Sequence, residues 1–390
     1  MHWNAQGITT ESSAAQLEYV IKKWKIDILL LNETFLKPHH KFHLGGFKIY
    51  REDRSTHGGG VLIAIKSNIK HSLLPRIKTK TAENISIQVM INSRPVIFTS
   101  AYNPVYSPNF HDDLDKLTSS CTDFFIFGDL NAQHTNWNCV SSNSAGKMLF
   151  NHCLHGRYFI YHPNNYTRFG QNINPVLPST VDILLSNSSL NFSNLETLPN
   201  TLQSDHVPLL CNIYGLTENM TYSVPLYNSA DWPLIRNWVE NEIRVLNIDQ
   251  NGTDSDNLDF YFDRLISIIK EAFNKIPVGR KNSWQREISA ISKMLISQRN
   301  NYKRKFQRCR DLNSRNQLKC ILNLLNNLID FHLKKDRNES WSKFISKLPQ
   351  GSKKFWKLTK ALKNKKISFT DLHVNGEVLK TGVEKANSIA

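Results

Sequence analysis

A small set of acidic, amide, phenolic and imidazole residues recurs where apolar runs of this chain end. Asn4 lies in Trp-Asn-Ala-Gln-Gly, Glu33 in Leu-Leu-Asn-Glu-Thr and Tyr102 in Ser-Ala-Tyr-Asn-Pro. Asp129 and Asn131 lie in Phe-Gly-Asp-Leu-Asn-Ala, Asp182 in Ser-Thr-Val-Asp-Ile-Leu, and Asp205 with His206 in Ser-Asp-His-Val-Pro-Leu. Carboxylate oxygens ligate hard divalent cations, a positioned carboxylate moves protons, and an imidazole can donate hydrogen bonds where negative charge builds. Strand ends at one edge of a sheet converge, so these residues could share one cleft. Taken singly, each has a plainer reading. Gly128 to Asn131 could be a turn, Glu33 a solvated strand end or helix cap, and His206 a hydrogen-bonded core histidine.

The elements that would position this set are short, apolar and β-branched. Seven runs read as strands: Ile26 to Leu31, Gly60 to Ile65, Ile85 to Ile91, Val96 to Tyr102, Phe124 to Phe127, Val181 to Leu185 and Val207 to Ile213. Ser12 to Trp24 has helical spacing, with Ser12 or Ser13 as its expected N-cap. Near-continuous apolar runs predict strands covered on both faces, hence packed sheets with helices outside and an α/β class. Beyond Tyr214 the rhythm becomes helical: Trp232 to Leu246, Leu258 to Phe273, Trp284 to Arg310, and Arg315 to Leu333 with Leu318, Ile321, Leu322, Leu325, Leu328 and Ile329 on one packing face. Gly215 to Tyr222 and Asn247 to Asp256 read as linkers.

Charge separates the two halves. The chain has 390 residues, 49 Lys plus Arg against 33 Asp plus Glu, and a net charge of +16. Residues 1–215 hold 18 basic and 15 acidic side chains; the other 31 and 18 lie beyond. Within 275–366 the count is 25 to 5, with Trp284, Tyr302, Phe306, Trp341, Phe344, Phe355 and Trp356 interleaved. Such a region neutralises phosphates and stacks on bases. Six scattered cysteines without a C-x-x-C pair argue against a zinc ribbon or disulfide scaffold and for a reducing, intracellular compartment. No apolar run is long enough to span a membrane, and the first residues lack signal-peptide character. Gly58-Gly59-Gly60 reads as a tight turn and not a P-loop, and His39, His40 and His43 as a solvated loop.

The ordered set Asn, Glu, Tyr, Asp-x-Asn, Asp and Asp-His resembles the endonuclease/exonuclease/phosphatase superfamily, which contains apurinic endonucleases and DNase I. Leu-Asn-Glu-Thr-Phe-Leu, Gly-Gly-Gly-Val-Leu-Ile-Ala, Gly-Asp-Leu-Asn-Ala-Gln-His-Thr-Asn-Trp and Ser-Asp-His-Val-Pro-Leu are similar to the endonuclease of jockey-like non-LTR retrotransposons. The resemblance covers residues 1–214 and implies a DNase I-like four-layer α/β sandwich of two facing mixed sheets, followed by a mostly helical basic region. It divides the chain into the endonuclease domain (1–214), a linker and helical segment (215–274) and a basic helical connector (275–390). Phe355-Trp356-Lys357-Leu358 and Lys385-Ala386-Asn387 resemble the last stretch before a reverse transcriptase, which would lie beyond Ala390.

Phosphodiester hydrolysis then assigns the roles. Glu33, helped by Asp205, would hold Mg²⁺, with Mn²⁺ as the alternative. Asp129 would deprotonate or orient the attacking water, Asn131 would hold water and phosphate, and His206, held by Asp182, would donate to the phosphoryl oxygens. Tyr102 supplies another donor and Asn4 orients Glu33. Thr167 resembles a DNA-facing position, and Arg280, Lys281, Arg304, Lys305, Lys353 and Lys354 are the expected nucleic-acid contacts of the connector. The implied partners are target DNA and, through the connector, the element's RNA; no membrane is implied, and the nucleus is the expected location. Gln6 stands where apurinic endonucleases carry Asp, which fits a nicking enzyme better than a repair enzyme. With only three residues before Asn4, the first strand is expected to be cut short, and an open reading frame beginning upstream or a 5′-truncated copy is expected. The competing readings are a phosphatase of the same fold and a nucleic-acid-binding remnant without catalysis.

Overall fold

The computed structural model describes residues 1–104, 109–119, 122–171, 177–199, 203–215, 223–225, 227–246, 255–280, 288–349, 351–363, 372–374 and 377–379. The chain divides into two compact units, Met1–Lys334 and Lys335–Ala390. The first begins with β1 (His2–Asn4), α1 (Glu11–Lys23), β2 (Ile28–Asn32), β3 (Phe47–Glu52), β4 (Val61–Lys66), β5 (His71–Leu73), β6 (Glu83–Ile91) and β7 (Arg94–Tyr102). It continues through α2 (Phe110–Thr118), β8 (Asp123–Asp129), α3 (Ser144–His155), β9 (Phe159–Tyr161), β10 (Asp182–Ser186), β11 (Glu196–Thr197) and β12 (Leu209–Leu210). β13 (Ser223–Pro225), α4 (Trp232–Val245), α5 (Ser255–Asn274), β14 (Val278–Arg280), α6 (Ala290–Arg308) and α7 (Leu312–Ser346) follow. The second unit contains α8 (Lys353–Lys363) and the antiparallel pair β15 (Leu372–Val374) and β16 (Glu377–Leu379).

Two six-stranded mixed sheets, ordered β11-β12-β1-β2-β4-β3 and β5-β6-β7-β8-β10-β9, form the frame. Each has one parallel pair at its centre, β1 with β2 and β7 with β8, flanked by antiparallel neighbours. Side chains alternate across a strand, and β2 shows the consequence. Ile28 and Leu30 enter the core between the sheets with Ile63, Ile87 and Phe125. Leu29 and Leu31 point outward and pack with Leu17, Val20 and Ile21 of α1. The outer face of the second sheet packs Ile126 and Leu185 against Leu114 of α2 and Leu149 of α3. Helix, sheet, sheet and helix make the four layers expected from the sequence.

Several local expectations need correction. Thr10 caps α1, not Ser12 or Ser13: its Oγ1 accepts from Ser13 N at 3.1 Å, and Glu11 occupies the acid-favouring first turn. The run from Val207 to Ile213 pairs only at Leu209–Leu210, with an isolated bridge at Ile213, because Pro208 has no N–H to give a ladder. The helix expected from Trp284 begins at Ala290, capped by Ser289; residues 281–287 lie outside those described. Most of the two expected linkers, 216–222 and 247–254, also lies outside them.

Part of the Leu/Ile stripe of α7 packs on the sandwich, whereas Leu328, expected on the same face, is 46% exposed. Leu325, Ile329 and Leu333 join Leu295 and Ile296 of α6 around Ala15 of α1. Ser12 donates to Asp330, and Arg299 Nη2 donates to Gln16 Oε1 at 3.1 Å. Among the described residues, no helix is long and apolar enough to cross a membrane.

Candidate active site

The strand register builds the site. In the first sheet Asn4 ends β1 opposite Asn32 at the end of β2. In the second, Tyr102 ends β7 opposite Asp129 at the end of β8, and Asp182 starts β10 opposite the same Asp129. Polar ends of both sheets thus meet at one edge of the sandwich.

Asn4 links them. Its Nδ2 donates to Glu33 Oε1 at 2.8 Å and to Asp129 Oδ2 at 2.9 Å. Tyr102 Oη donates to the same Glu33 oxygen at 2.8 Å. Asn131 N donates to Asp129 Oδ1, and Asn131 Nδ2 to Asn103 O, each at 2.9 Å. Asp182 Oδ2 stands 2.7 Å from His206 Nδ1. The free edge of the imidazole, Nε2, lies 3.6 Å from both Asp129 Oδ2 and Asp205 Oδ1. Glu33 and Asn131 have φ of 48° and 49°, in the left-handed region that non-glycine residues seldom adopt. Strain of this kind concentrates at functional sites.

Electrostatics separate the acids. Burial pushes the Asp129 carboxyl up from the ordinary carboxylate range, against the pull of His206. Asp182 is equally buried but held well below that range by His206 and the His2 hydrogen bond. For His206, burial disfavours the imidazolium, yet Asp182 and Asp129 overcome it and raise its pKa to about 9. Burial and the Glu33 charge keep the Tyr102 phenol protonated. The site therefore holds one carboxylate fixed in its charged form, one easily protonated and one imidazolium.

One buried carboxylate oxygen has the character of a hard-cation ligand. Asp205 Oδ1 is buried and accepts no hydrogen bond among the described residues, the signature of a missing donor or metal. Glu33, whose Oε1 accepts from Asn4 and Tyr102, offers a further carboxylate oxygen. A second grouping, Asp129, Asp182 and His206, has ligand atoms within 4.8 Å of one another, but the closest pair in it is already a hydrogen bond.

Thr167 departs from its expected place at the DNA surface. It is 0% exposed, and its Oγ1 accepts from Val181 N and Asp182 N at 3.1 and 3.2 Å, so it positions Asp182. Its neighbour Arg168, partly exposed, donates to Asp205 Oδ2 at 3.3 Å. Arg304, Lys305 and Lys353 lie exposed on α6 and α8, with Lys305 over the Tyr302 ring at 5.2 Å. Arg280 ends β14 and Lys354 lies in α8, where only the backbone is described; Lys281 lies outside the described residues.

Sequence reasoning missed His2, Ser204 and Asn32, and gave Gln6 no contact within the site. His2 Nε2 lies 3.2 Å from Asp182 Oδ1; burial keeps this ring neutral, so it donates to Asp182. Ser204 Oγ donates to Asn4 O at 2.7 Å and accepts from His206 N at 3.0 Å. Asn32 Oδ1 accepts from Asp129 N at 3.0 Å. Gln6 Oε1 accepts from Asp205 N at 3.1 Å. His2 and Asn32 carried a readable signal, each being polar inside an apolar run.

The chain is similar to two proteins of Drosophila melanogaster, the RNA-directed DNA polymerase from mobile element jockey and a probable RNA-directed DNA polymerase from transposon X-element. It is 28% identical to each, over 55% and 54% of this chain and 23% of each relative. The matched stretch spans about a quarter of those proteins. Among solved structures, the endonuclease domain of TRAS1, a telomere-specific non-LTR retrotransposon, superposes with a TM-score of 0.47 at 16% identity, covering 55% of this chain and 96% of that one. An AP endonuclease from Archaeoglobus fulgidus gives 0.41 at 18% identity, with 55% and 98% coverage. The model of the Endonuclease/Exonuclease/phosphatase family matches residues 1–206, more than half of the 390-residue chain, which therefore belongs to that family.

Proposed function

We propose that this protein is a divalent-metal-dependent DNA endonuclease of a non-LTR retrotransposon, cutting one strand of target DNA by phosphodiester hydrolysis. The observation that carries this reading is the continuous hydrogen-bonded chain Glu33–Asn4–Asp129 beside the His206–Asp182 pair, at the edge where the two sheets meet. The similarity to the jockey and X-element RNA-directed DNA polymerases supports the retrotransposon context.

Glu33 and Asp205 would hold Mg²⁺ or Mn²⁺, whose chemistry there is to neutralise the phosphate and stabilise the leaving 3′ oxygen. Asp129, its carboxyl raised by burial, takes the proton of the attacking water at its oxygen. Asn131 N and Asn4 Nδ2 fix both Asp129 oxygens. His206 directs Nε2–H at the phosphoryl oxygens, and Asp182 keeps Nδ1 occupied and the ring charged. Tyr102 and Asn4 hold Glu33 from two sides.

Nicking of supercoiled plasmid with Mg²⁺, scored as conversion to the relaxed circle and compared with a metal-free control, tests the reading. Metal-dependent relaxation is expected. Absence of nicking by folded protein with either Mg²⁺ or Mn²⁺ overturns it, and release of inorganic phosphate from small phosphomonoesters without nicking would replace it with a phosphatase.

A further inference from the structure

The helices α6 and α7 reach the loop that carries His206. Lys303 Nζ donates to Ser204 O, two residues before His206, and Lys319 Nζ donates to Gln171 O at 3.3 Å. Arg299 lies one turn before Lys303 on α6 and is nearly fully buried. These three cations line a cavity of about 60 Å³ between the sandwich and the two helices, whose wall also includes Gln307. Gln307 Nε2 is a buried donor with no acceptor among the described residues.

We infer that this cavity is a second phosphate-binding subsite, built by Lys303, Lys319, Arg299 and Gln307, which takes a backbone phosphate of the DNA strand beside the scissile one. The proposal rests on the endonuclease reading above and adds to it the segment that holds the substrate. Four donor-bearing side chains line it, and two of them, Lys303 and Lys319, reach the backbone carbonyls of Ser204 and Gln171. An entering anion meets three cationic side chains on the cavity wall and gives Gln307 Nε2 the acceptor it lacks among the described residues. A phosphodiester oxygen combines the required charge with the required lone pairs. Because Ser204 also holds Asn4 and His206, a phosphate seated here is fixed relative to the reacting one, which is how binding away from the chemistry orients a substrate.

The test uses the full chain and a duplex of about 20 base pairs without divalent metal, so that binding is read apart from cutting. Fluorescence anisotropy across a salt series gives the affinity and the slope of log K against log salt. Lys319→Gln, on a partly exposed helix face, is expected to weaken binding several-fold and reduce the slope by about 0.9, the value of one lost phosphate contact; Lys303→Gln is expected to do the same. Thermal melting identifies any variant that fails to fold, and if Lys303→Gln does so, Lys319→Gln alone decides. An unchanged slope in folded variants overturns the subsite. So does lost affinity for single-stranded RNA with duplex binding intact, or a site that stabilises the protein with inorganic phosphate while the duplex slope stays that of the wild type. A wild type that fails to nick in Mg²⁺ while the slope difference persists removes the endonuclease reading and leaves the subsite standing.

Discussion

Residues 1–215 carry 18 basic and 15 acidic side chains, and there the two buried histidines of the site face a buried acid. His206 and His2 both meet Asp182. In α6 and α7 the buried cations make hydrogen bonds of another kind: Lys303 to Ser204 O, Arg299 to Gln16 Oε1, and Arg315 to Phe306 O and Cys309 O. Paired charges fix a geometry and a proton inventory. A surplus of cations, 25 Lys and Arg against 5 Asp and Glu over 275–366, sets up a field that draws in a polyanion. Chemistry and attraction thus lie in different parts of the chain.

The contrast is broken most directly by removing the paired groups. Asp129→Ala and His206→Ala are each expected to lower the nicking rate by about 10²–10⁴-fold, the usual worth of a positioned proton-transfer or oxyanion group. Circular dichroism and melting should still show a folded sandwich; near-normal nicking by either folded variant would remove the assigned chemistry.

Next in size is the seam between the regions. Ile329 is 0% exposed against α1 and α6, so Ile329→Ala should cost about 2–5 kcal/mol. A single cooperative melting transition shifted downward is expected. A separate early transition, with the sandwich melting as before, would show that the helices fold independently of it.

A third effect depends on pH. The folded-state pKa of His206 is raised to about 9 from 6.5, so its stabilisation is fully present below pH 6.5 and lost as pH rises through about 9. Melting temperature should fall across that window in the wild type and fall less in Asp182→Asn. Equal slopes in the two proteins would show that the ion pair is not the source.

The smallest effect is expected from the exposed cations. Arg304→Gln and Lys305→Gln, each singly, should weaken duplex binding a few-fold and flatten the salt dependence by at most about 0.9. An effect as large as that of His206→Ala would mean that these side chains enter the cleft.

Much of the sandwich was legible because both faces of its central strands are covered, which leaves apolar runs such as Ile28 to Leu31 and Val61 to Ile65. Edge strands were not. β3, Phe47–Glu52, alternates half-buried with charged residues, and β5, β9 and β11 are two or three residues long. Polar strand ends pointed to Asn4, Glu33, Tyr102, Asp129, Asp182 and His206 because the register brings them to one edge. Thr167 was misplaced since a hydroxyl in a polar loop gives no hint of the backbone N–H groups it will meet. His2 and Ser204 act through contacts about 180 and 200 residues away in sequence, which no local pattern records.

The pairing of β1 with β12 has a consequence for how the nuclease comes into being. Asn4 and His206 belong to one cluster but are made at opposite ends of the sandwich. Their union closes a loop of about 200 residues, and such non-local contacts form late and slowly. At about 5–20 residues per second, roughly 10–40 seconds of synthesis separate the two. By the end of that interval the nascent chain has Glu33, Asp129 and most strands of both sheets, but it still lacks the imidazole and the Ser204 clasp. On the reading proposed above, a ribosome-bound fragment that ends before Ser204 therefore lacks part of the reacting set, and competence to cut arrives only with the last strand of the sandwich.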